Sequence, residues 1–227
     1  MSRKVITKLF CGVFRILFLL LTRVRLTSEN TFPLQGGYLV AANHLSIIEV
    51  PLVYCLIKRD DVTGLVAKNH RKNPFFRWLI SAMNGIWLNR EEIDTRALKA
   101  ARDHLISGGV LGISPEGTRS STGALQTAKT GVAYLADQAE VPIIPVGVSG
   151  TWQITKEILT LRRPVILVNI GKPFNLPKVD RKTRDLDLRQ NTEEIMCQLA
   201  ALLPPENRGV YADYPRVSEL LQQQSKQ

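Results

Sequence analysis

Acidic residues are scarce in this chain and absent from its start. No Asp or Glu precedes Glu29, and the 227 residues carry 20 acidic against 30 basic side chains, a formal charge of +10 with a pI near 9.8. Such an excess favours an anionic partner: nucleic acid, a lipid surface or a phosphorylated substrate. Helix-turn-helix, zinc-finger and aromatic-basic RNA motifs are all missing, which argues against nucleic acid. Cysteine is also sparse. Cys11, Cys55 and Cys197 are odd in number, far apart and without CxxC spacing, so neither a disulfide framework nor a zinc site is indicated, and a reducing compartment is the default. Long apolar runs, internal repeats and low-complexity linkers are lacking as well. Apolar residues at 44% and charged residues at 22% are ordinary for a globular chain and exclude wholesale disorder and a polytopic membrane protein. The length suits one domain with an N-terminal extension.

What the start does contain is a basic, apolar arm. Arg3, Lys4, Lys8, Arg15, Arg23 and Arg25 all precede the first acid. At 3.6 residues per turn, Lys4, Lys8, Arg15 and Thr22 fall on one narrow side, while Ile6, Leu9, Phe10, Val13, Phe14, Leu17, Phe18, Leu20 and Leu21 cover most of the rest. The stretch from Leu9 to Leu21 is shorter than the ~20 residues a span needs and is interrupted by Arg15, so a helix lying in the membrane surface is expected rather than one crossing it. Lys4, Lys8, Phe10, Phe14, Arg15 and Phe18 are its candidate membrane contacts. Two other readings stay open: a helix packed on the domain's own core, and a signal peptide, against which Thr22-Arg23-Val24-Arg25 makes a poor cleavage flank.

Beyond Glu29, short β-rich runs alternate with amphipathic stretches. Strands are predicted at 38–42, 63–67, 85–88, 110–114, 142–148 and 165–170. The clearest helix starts from an N-cap at Asp94 and runs to Ser107, with Ala97, Leu98, Ala101, Leu105 and Ile106 on one face and Gly108-Gly109 after it. A last helix is predicted from Leu186 to Leu203, stopped by Pro204-Pro205. The pattern predicts an α/β fold, a mostly mixed β-sheet layered with helices and preceded by the N-terminal amphipathic helix. The expected organisation is an attachment helix at 1–28, an α/β domain at 29–205 and a C-terminal tail at 206–227 that frays.

Two short segments carry the chemistry. In Asn43-His44-Leu45-Ser46-Ile47-Ile48-Glu49-Val50-Pro51, His44 follows an apolar strand, at the strand end where open α/β sheets hold ligands. His44 and Glu49 are five residues apart, so they would stand about 140° apart on a continuous helix. Pro51, however, makes the segment a turn entering a helix, and a turn can fold the carboxylate back onto the ring. The pair would then act as a general base, with the acid fixing the tautomer. The competing reading is a capping box from Ser46 to Glu49. In Pro115-Glu116-Gly117-Thr118-Arg119-Ser120, a glycine permits close backbone approach, hydroxyls donate, and the arginine can fork onto phosphate oxygens; an ordinary surface turn is the alternative. His70, in a basic loop, and His104, on a helix's polar side, suggest no chemistry.

Taken together, these segments resemble the glycerolipid acyltransferase family typified by the 1-acylglycerol-3-phosphate (lysophosphatidic acid) acyltransferases. Asn43-His44 with Glu49 resembles the first family motif, and Gly85-Ile86-Trp87-Leu88-Asn89-Arg90 the second. Glu116-Gly117-Thr118-Arg119-Ser120 matches the third, and Val141-Pro142-Ile143-Ile144-Pro145-Val146 resembles the fourth. Lys68 also falls where the family carries a lysine. The likeness covers about residues 36 to 172. It departs at Glu49, where the family usually has Asp, and at Asn89, where Asp often precedes the arginine.

The resemblance implies acyl transfer from an acyl thioester, carried by coenzyme A or acyl carrier protein, to the free hydroxyl of a lysophospholipid, most simply 1-acylglycerol-3-phosphate. His44 and Glu49 would be catalytic, and Lys68, Arg90, Glu116, Gly117, Thr118 and Arg119 would hold the acceptor's phosphate. No cofactor or metal is required by this scheme, and the enzyme would work as a monotopic protein on the cytoplasmic face of a membrane. A homologue that binds lysolipid or anionic lipid without turnover is the alternative.

Overall fold

The apolar runs of the sequence assemble into one sheet. The computed structural model describes residues 3–27 and 31–225; the expected domain boundary at 28/29 lies outside them. Helix α1 (Arg3–Leu21) is followed by strands β1 (Arg23–Leu26) and β2 (Tyr38–Ala42), then α2 (Glu49–Leu56), β3 (Val62–Ala67), α3 (Pro74–Ala82), β4 (Ile86–Leu88) and α4 (Thr95–Ile106). The chain continues with β5 (Val110–Ile113), α5 (Gly131–Ala139), β6 (Ile143–Ser149), α6 (Ile154–Leu159), β7 (Val165–Ile170), α7 (Arg184–Ala201) and α8 (Pro215–Ser225). Among the described residues, seven strands form the sheet in the order β1-β7-β6-β2-β5-β3-β4. Strands β2 to β6 are parallel to one another, β7 runs antiparallel to β6, and β1 is parallel to β7. This is the mixed α/β sheet that the alternation of strands and helices predicts.

Because successive strand residues point to opposite faces, each strand feeds two cores. Tyr38, Val40, Val62, Val110, Ile144 and Ile166 face α1, α2 and α6. Leu39, Ala41, Leu111 and Ile143 face α4, α5, α7 and α8, against Leu105, Leu135, Ile195 and Met196. Each fully buried Val, Leu, Ile or Met among them contributes about 1.5–3 kcal/mol. Helix α4 begins as its sequence predicts, with the Asp94 side chain accepting from Ala97 N at 3.1 Å. Pro74 opens α3 at its first turn, where its missing N–H costs nothing, and Asn73 caps the helix by accepting from Phe75 N and Phe76 N.

Four features differ from expectation. Residues 206–225 do not form a tail: Tyr211, Val217 and Leu220 are buried, and α8 packs on α7. Only three apolar anchors in a polar stretch make that helix hard to see in sequence. Within residues 1–28 the chain forms β1 as well as α1. Arg23-Val24-Arg25-Leu26 has weak strand character, and its pairing with Val165–Val168 fixes it as an exposed edge strand. Cys11 of α1 and Cys55 of α2 are joined in a disulfide, a pairing made by helix packing across 44 positions and therefore invisible to motif spacing.

The fourth difference concerns α1 itself. Phe10, Phe14 and Phe18, offered as membrane contacts, recur every four residues and turn inward onto α2; Phe18 is only 8% exposed. The outward face carries Val5, Leu9, Val13, Ile16, Leu17 and Leu20, with Leu9 60% exposed. Lys4, Lys8 and Arg15 are exposed beside that face. Among the described residues, no helix is long and apolar enough to cross a membrane.

Candidate active site

The histidine lies just beyond the carboxyl end of β2. There the β2–β6 pairing stops at Ala42 and Val146, and the Asn43 side chain extends the join, donating to Val148 O at 2.8 Å and accepting from Val148 N at 2.7 Å. The next residue, His44, enters the turn that leads into α2. Glu49, the first residue of that helix, folds back so that its Oε2 lies 3.1 Å from His44 Nδ1. Its carboxylate also accepts from Leu45 N and Ser46 N, and from the Thr151 hydroxyl. Glu49 therefore does part of what each competing reading of the sequence required. It satisfies turn amides as in a capping box, although Ile48 rather than Ser46 holds the N-cap position, and it also faces the ring. With Glu49 2% and His44 18% exposed, the pair is shielded but reachable. A carboxylate surrounded by donors leaves Nδ1 as the donor to it, so Nε2 carries the free lone pair.

The Glu116 loop holds His44 by its main chain. Glu116 Oε1 accepts from His44 N at 3.0 Å, Oε2 accepts from Gln126 N at 3.0 Å, and Ser120 N donates to His44 O at 2.7 Å. Glu116 is thus a buried brace, 3% exposed, with both carboxylate oxygens taken by main-chain amides. Burial pushes its carboxyl above the ordinary value, while the Gln126 and His44 amides pull against that shift. The turn reverses at Gly117, whose φ of +70° suits glycine, and the aliphatic part of Lys129 covers the space a side chain would take. Thr118 and Arg119 emerge beyond the turn, exposed.

A cavity of about 1740 Å³ runs over the carboxyl edge of the sheet. His44, Glu49, Arg90 and Gly117 line it; Lys68, Glu116, Thr118 and Arg119 do not. Lys68 is drawn to Asp94, 2.9 Å away. The Asn89 amide, Lys68 and the Ala97 amide hold the Asp94 carboxyl well below the usual carboxylate range, and through Asn89 it also shapes the approach to Arg90. Arg90 and Arg119 make no ion pair among the described residues. Although Arg90 is exposed as a residue, desolvation lowers its guanidinium from the ordinary value; it remains charged at any working pH.

The elements that wall the cavity give it an apolar lobe, from α1 to α3, and a more polar one. The α1–α2–α3 lobe is apolar, with Phe10, Phe14, Val53, Leu79 and Met83 among its walls. Its floor is bare where Gly64 and Gly112 lie opposite each other on β3 and β5. The other lobe carries both signs of charge: Lys99 and Arg102 of α4, Lys129, and Arg184, whose guanidinium lies 5.6 Å from the centre of the Tyr134 ring, together with Glu92, Asp94 and Asp185. Thr151, Asp94 and Lys129 were not read as site residues from sequence. For Thr151 the only available signal was its position just past the carboxyl end of a predicted strand.

The His44–Glu49 contact stands at the carboxyl edge of a mostly parallel sheet, between an apolar lobe and one of mixed charge. The chain belongs to the Acyltransferase family, whose model matches residues 23–149. It is similar to the 1-acyl-sn-glycerol-3-phosphate acyltransferase of Saccharomyces cerevisiae, 30% identical over 145 residues that cover 61% of this chain and 47% of that protein. The enzyme of the same description from Cocos nucifera is 32% identical over 142 residues, covering 58% and 44%. The chain therefore spans somewhat under half the length of these relatives. Its fold is similar to the crystal structure of the 1-acyl-sn-glycerophosphate acyltransferase PlsC from Thermotoga maritima, with a TM-score of 0.63, 26% identity, and coverage of 85% of this chain and 78% of that one.

Proposed function

We propose that this protein transfers a fatty acyl group from an acyl thioester to the free hydroxyl of 1-acylglycerol-3-phosphate, forming phosphatidic acid. The observation that carries the reading is the contact between His44 Nδ1 and Glu49 Oε2, at the edge of the cleft in a chain of this family. The acyl chain lies in the apolar lobe over Gly64 and Gly112. Arg90, with Lys68 and the exposed Arg119 on neighbouring loops, holds the acceptor's phosphate, and Gly117 allows close approach. The basic side chains of the other lobe, Lys99, Lys129 and Arg184, receive the phosphates of the donor's carrier, coenzyme A or acyl carrier protein.

His44 Nε2 takes the proton of the acceptor hydroxyl as its oxygen attacks the thioester carbon. A C–O bond forms and the carbonyl π electrons move onto oxygen. When that tetrahedral intermediate collapses, the C–S bond breaks and the departing thiolate takes the proton from Nε2, so the ring ends as it began. Glu49 keeps the ring oriented and stabilises its cationic form. General base catalysis of this kind supplies roughly 10²–10⁴-fold, and positioning supplies the remainder. Since both lipids reside in a bilayer, the exposed apolar face of α1 is read as lying in the surface of a membrane, on its cytoplasmic side, with Lys4, Lys8 and Arg15 toward anionic headgroups.

Purified protein given lysophosphatidic acid and an acyl thioester is expected to yield phosphatidic acid and free thiol in equal amounts, and His44→Ala to abolish both without loss of fold. Equal thiol release by wild type and variant, or none by wild type with any donor, overturns the reading and favours lipid binding without turnover.

A further inference from the structure

Among the described residues, one buried side-chain polar atom has no hydrogen-bond partner: Ser114 Oγ. Burying an unpaired hydroxyl is unfavourable, so the position calls for a physical explanation. Ser114 stands one residue past β5, and its neighbours in the sheet fix its surroundings. Ile113 pairs with Ala41, which puts Ser114 across from Ala42, two residues before His44. The alternation that sends Val110 and Gly112 to the α1–α2 face carries Ser114 to the same face, next along from the bare glycine floor. Ser114 lines the cleft together with His44, Gly112 and Gly117. Its own carbonyl is occupied, accepting from Gly117 N at 3.1 Å; the hydroxyl is the idle group.

We propose that the Ser114 hydroxyl is the hydrogen-bond donor to the thioester carbonyl oxygen, stabilising the oxyanion formed when the acceptor attacks. This rests on the acyl-transfer reading above. With the acyl chain over Gly112 and the attacking oxygen at His44, the reacting carbonyl falls between them, beside Ser114. Oγ is turned away from solvent, and a step between staggered χ1 wells brings it to the carbonyl. No covalent bond to serine forms: the O–H donates as negative charge grows on the carbonyl oxygen, and keeps its proton when the C–S bond breaks. The carbonyl oxygen is neutral in the bound thioester and negatively charged in the intermediate, so the bond strengthens as charge appears, and that increment falls on the transition state.

The test combines turnover with stability for Ser114→Ala and Ser114→Thr. The alanine variant is expected to lose roughly a hundredfold in kcat with both KM values unchanged. It is also expected to melt at the same or a higher temperature than wild type, because an unsatisfied buried group has been removed. The threonine variant, which keeps the hydroxyl, is expected to recover most of kcat. A serine that serves the fold would give the opposite pair, lower melting temperature and preserved kcat, and that result overturns the assignment. So does a change below twofold in kcat, or a loss confined to the acceptor's KM. If wild type turns over and Ser114→Ala does so equally, only this assignment falls; if wild type turns over no thioester, the acyltransferase reading falls and this one with it.

Discussion

Thr151 donates its hydroxyl to Glu49 Oε1 from the loop after β6, joining the catalytic candidate on α2 to a strand end 102 residues away in sequence. Thr151 is fully buried. Since Glu49 Oε2 faces His44, this bond fixes the plane of the carboxylate and hence its aim at the ring. Thr151→Val keeps the shape and deletes the donor, and a hydrogen bond to a charged group is worth about 1.5–3 kcal/mol. The expected outcome is a fall of roughly ten- to a hundredfold in kcat, little change in either KM, and recovery in Thr151→Ser. Steady-state kinetics on the three proteins check it; an unchanged kcat in Thr151→Val would remove Thr151 from the positioning chain.

Asp94 links acid sensitivity to the cleft wall. Its carboxyl titrates well below the usual range in the folded protein, chiefly through the Asn89 amide and also through Lys68 and the Ala97 amide, whereas an unfolded Asp titrates near about 3.9. A depressed folded value means that the stabilisation is complete above the unfolded value and is lost as pH falls through the folded one. Asp94→Asn should therefore melt below wild type by a constant interval at neutral pH, and the interval should close on acidification below about pH 4. Melting curves of both proteins across that range decide the matter: an interval that does not narrow excludes the ionised Asp94 as its source.

The two faces of α1 should respond differently to mutation. Phe18 is core, and Phe18→Ala should cost about 3–5 kcal/mol in unfolding free energy. Leu9, Val13 and Leu20 point outward, so replacing all three with Glu should change stability little but abolish flotation with anionic liposomes. If the triple variant still floats as wild type does, α1 is not the lipid-facing element.

Reducing the Cys11–Cys55 bond should loosen α1 from α2. Cross-links of this kind contribute about 2–4 kcal/mol, so a dithiol reductant should lower the melting temperature, and Cys55→Ser should remove that sensitivity. Burial pushes the Cys197 thiol up to about 11, so it should resist alkylation in the native protein. Counting alkylated thiols by mass spectrometry before and after reduction, with an expected gain of two, checks both statements; a gain of none would mean the two cysteines are not bonded.

Much of this architecture can be read from local signals. The six predicted strands coincide within a residue or two with β2 to β7, because buried parallel strands are short apolar runs with clear punctuation. Asp94 caps α4 where its spacing from the apolar face put it. The bend that folds Glu49 back to His44 follows from Pro51 and the strand before it. Sequence was silent where long-range packing decides. Glu116 looks like a ligand group in its motif, yet it braces the His44 amide, because the loop carrying it turns inward at the same edge of the sheet. Thr151 and Ser114 are ordinary hydroxyls until the sheet sets one against Glu49 and leaves the other without a partner among the described residues. The direction of Phe10, Phe14 and Phe18 depended on which arc of an almost wholly apolar helix met α2, and periodicity alone does not choose.

The facing glycines on β3 and β5 make the bore of the apolar lobe a property of backbone rather than of side chains. A methyl built on Gly112 would find its nearest neighbour, Thr63 O, at 3.7 Å, an ordinary contact, whereas one on Gly64 would press to 3.3 Å on Gly112 O. Gly112 is thus the cheaper place to raise the floor. On the proposed acyl-transfer reading, a single codon change there narrows the passage open to a hydrocarbon tail without altering His44 or Glu49, so preference for tail size can drift independently of the general base.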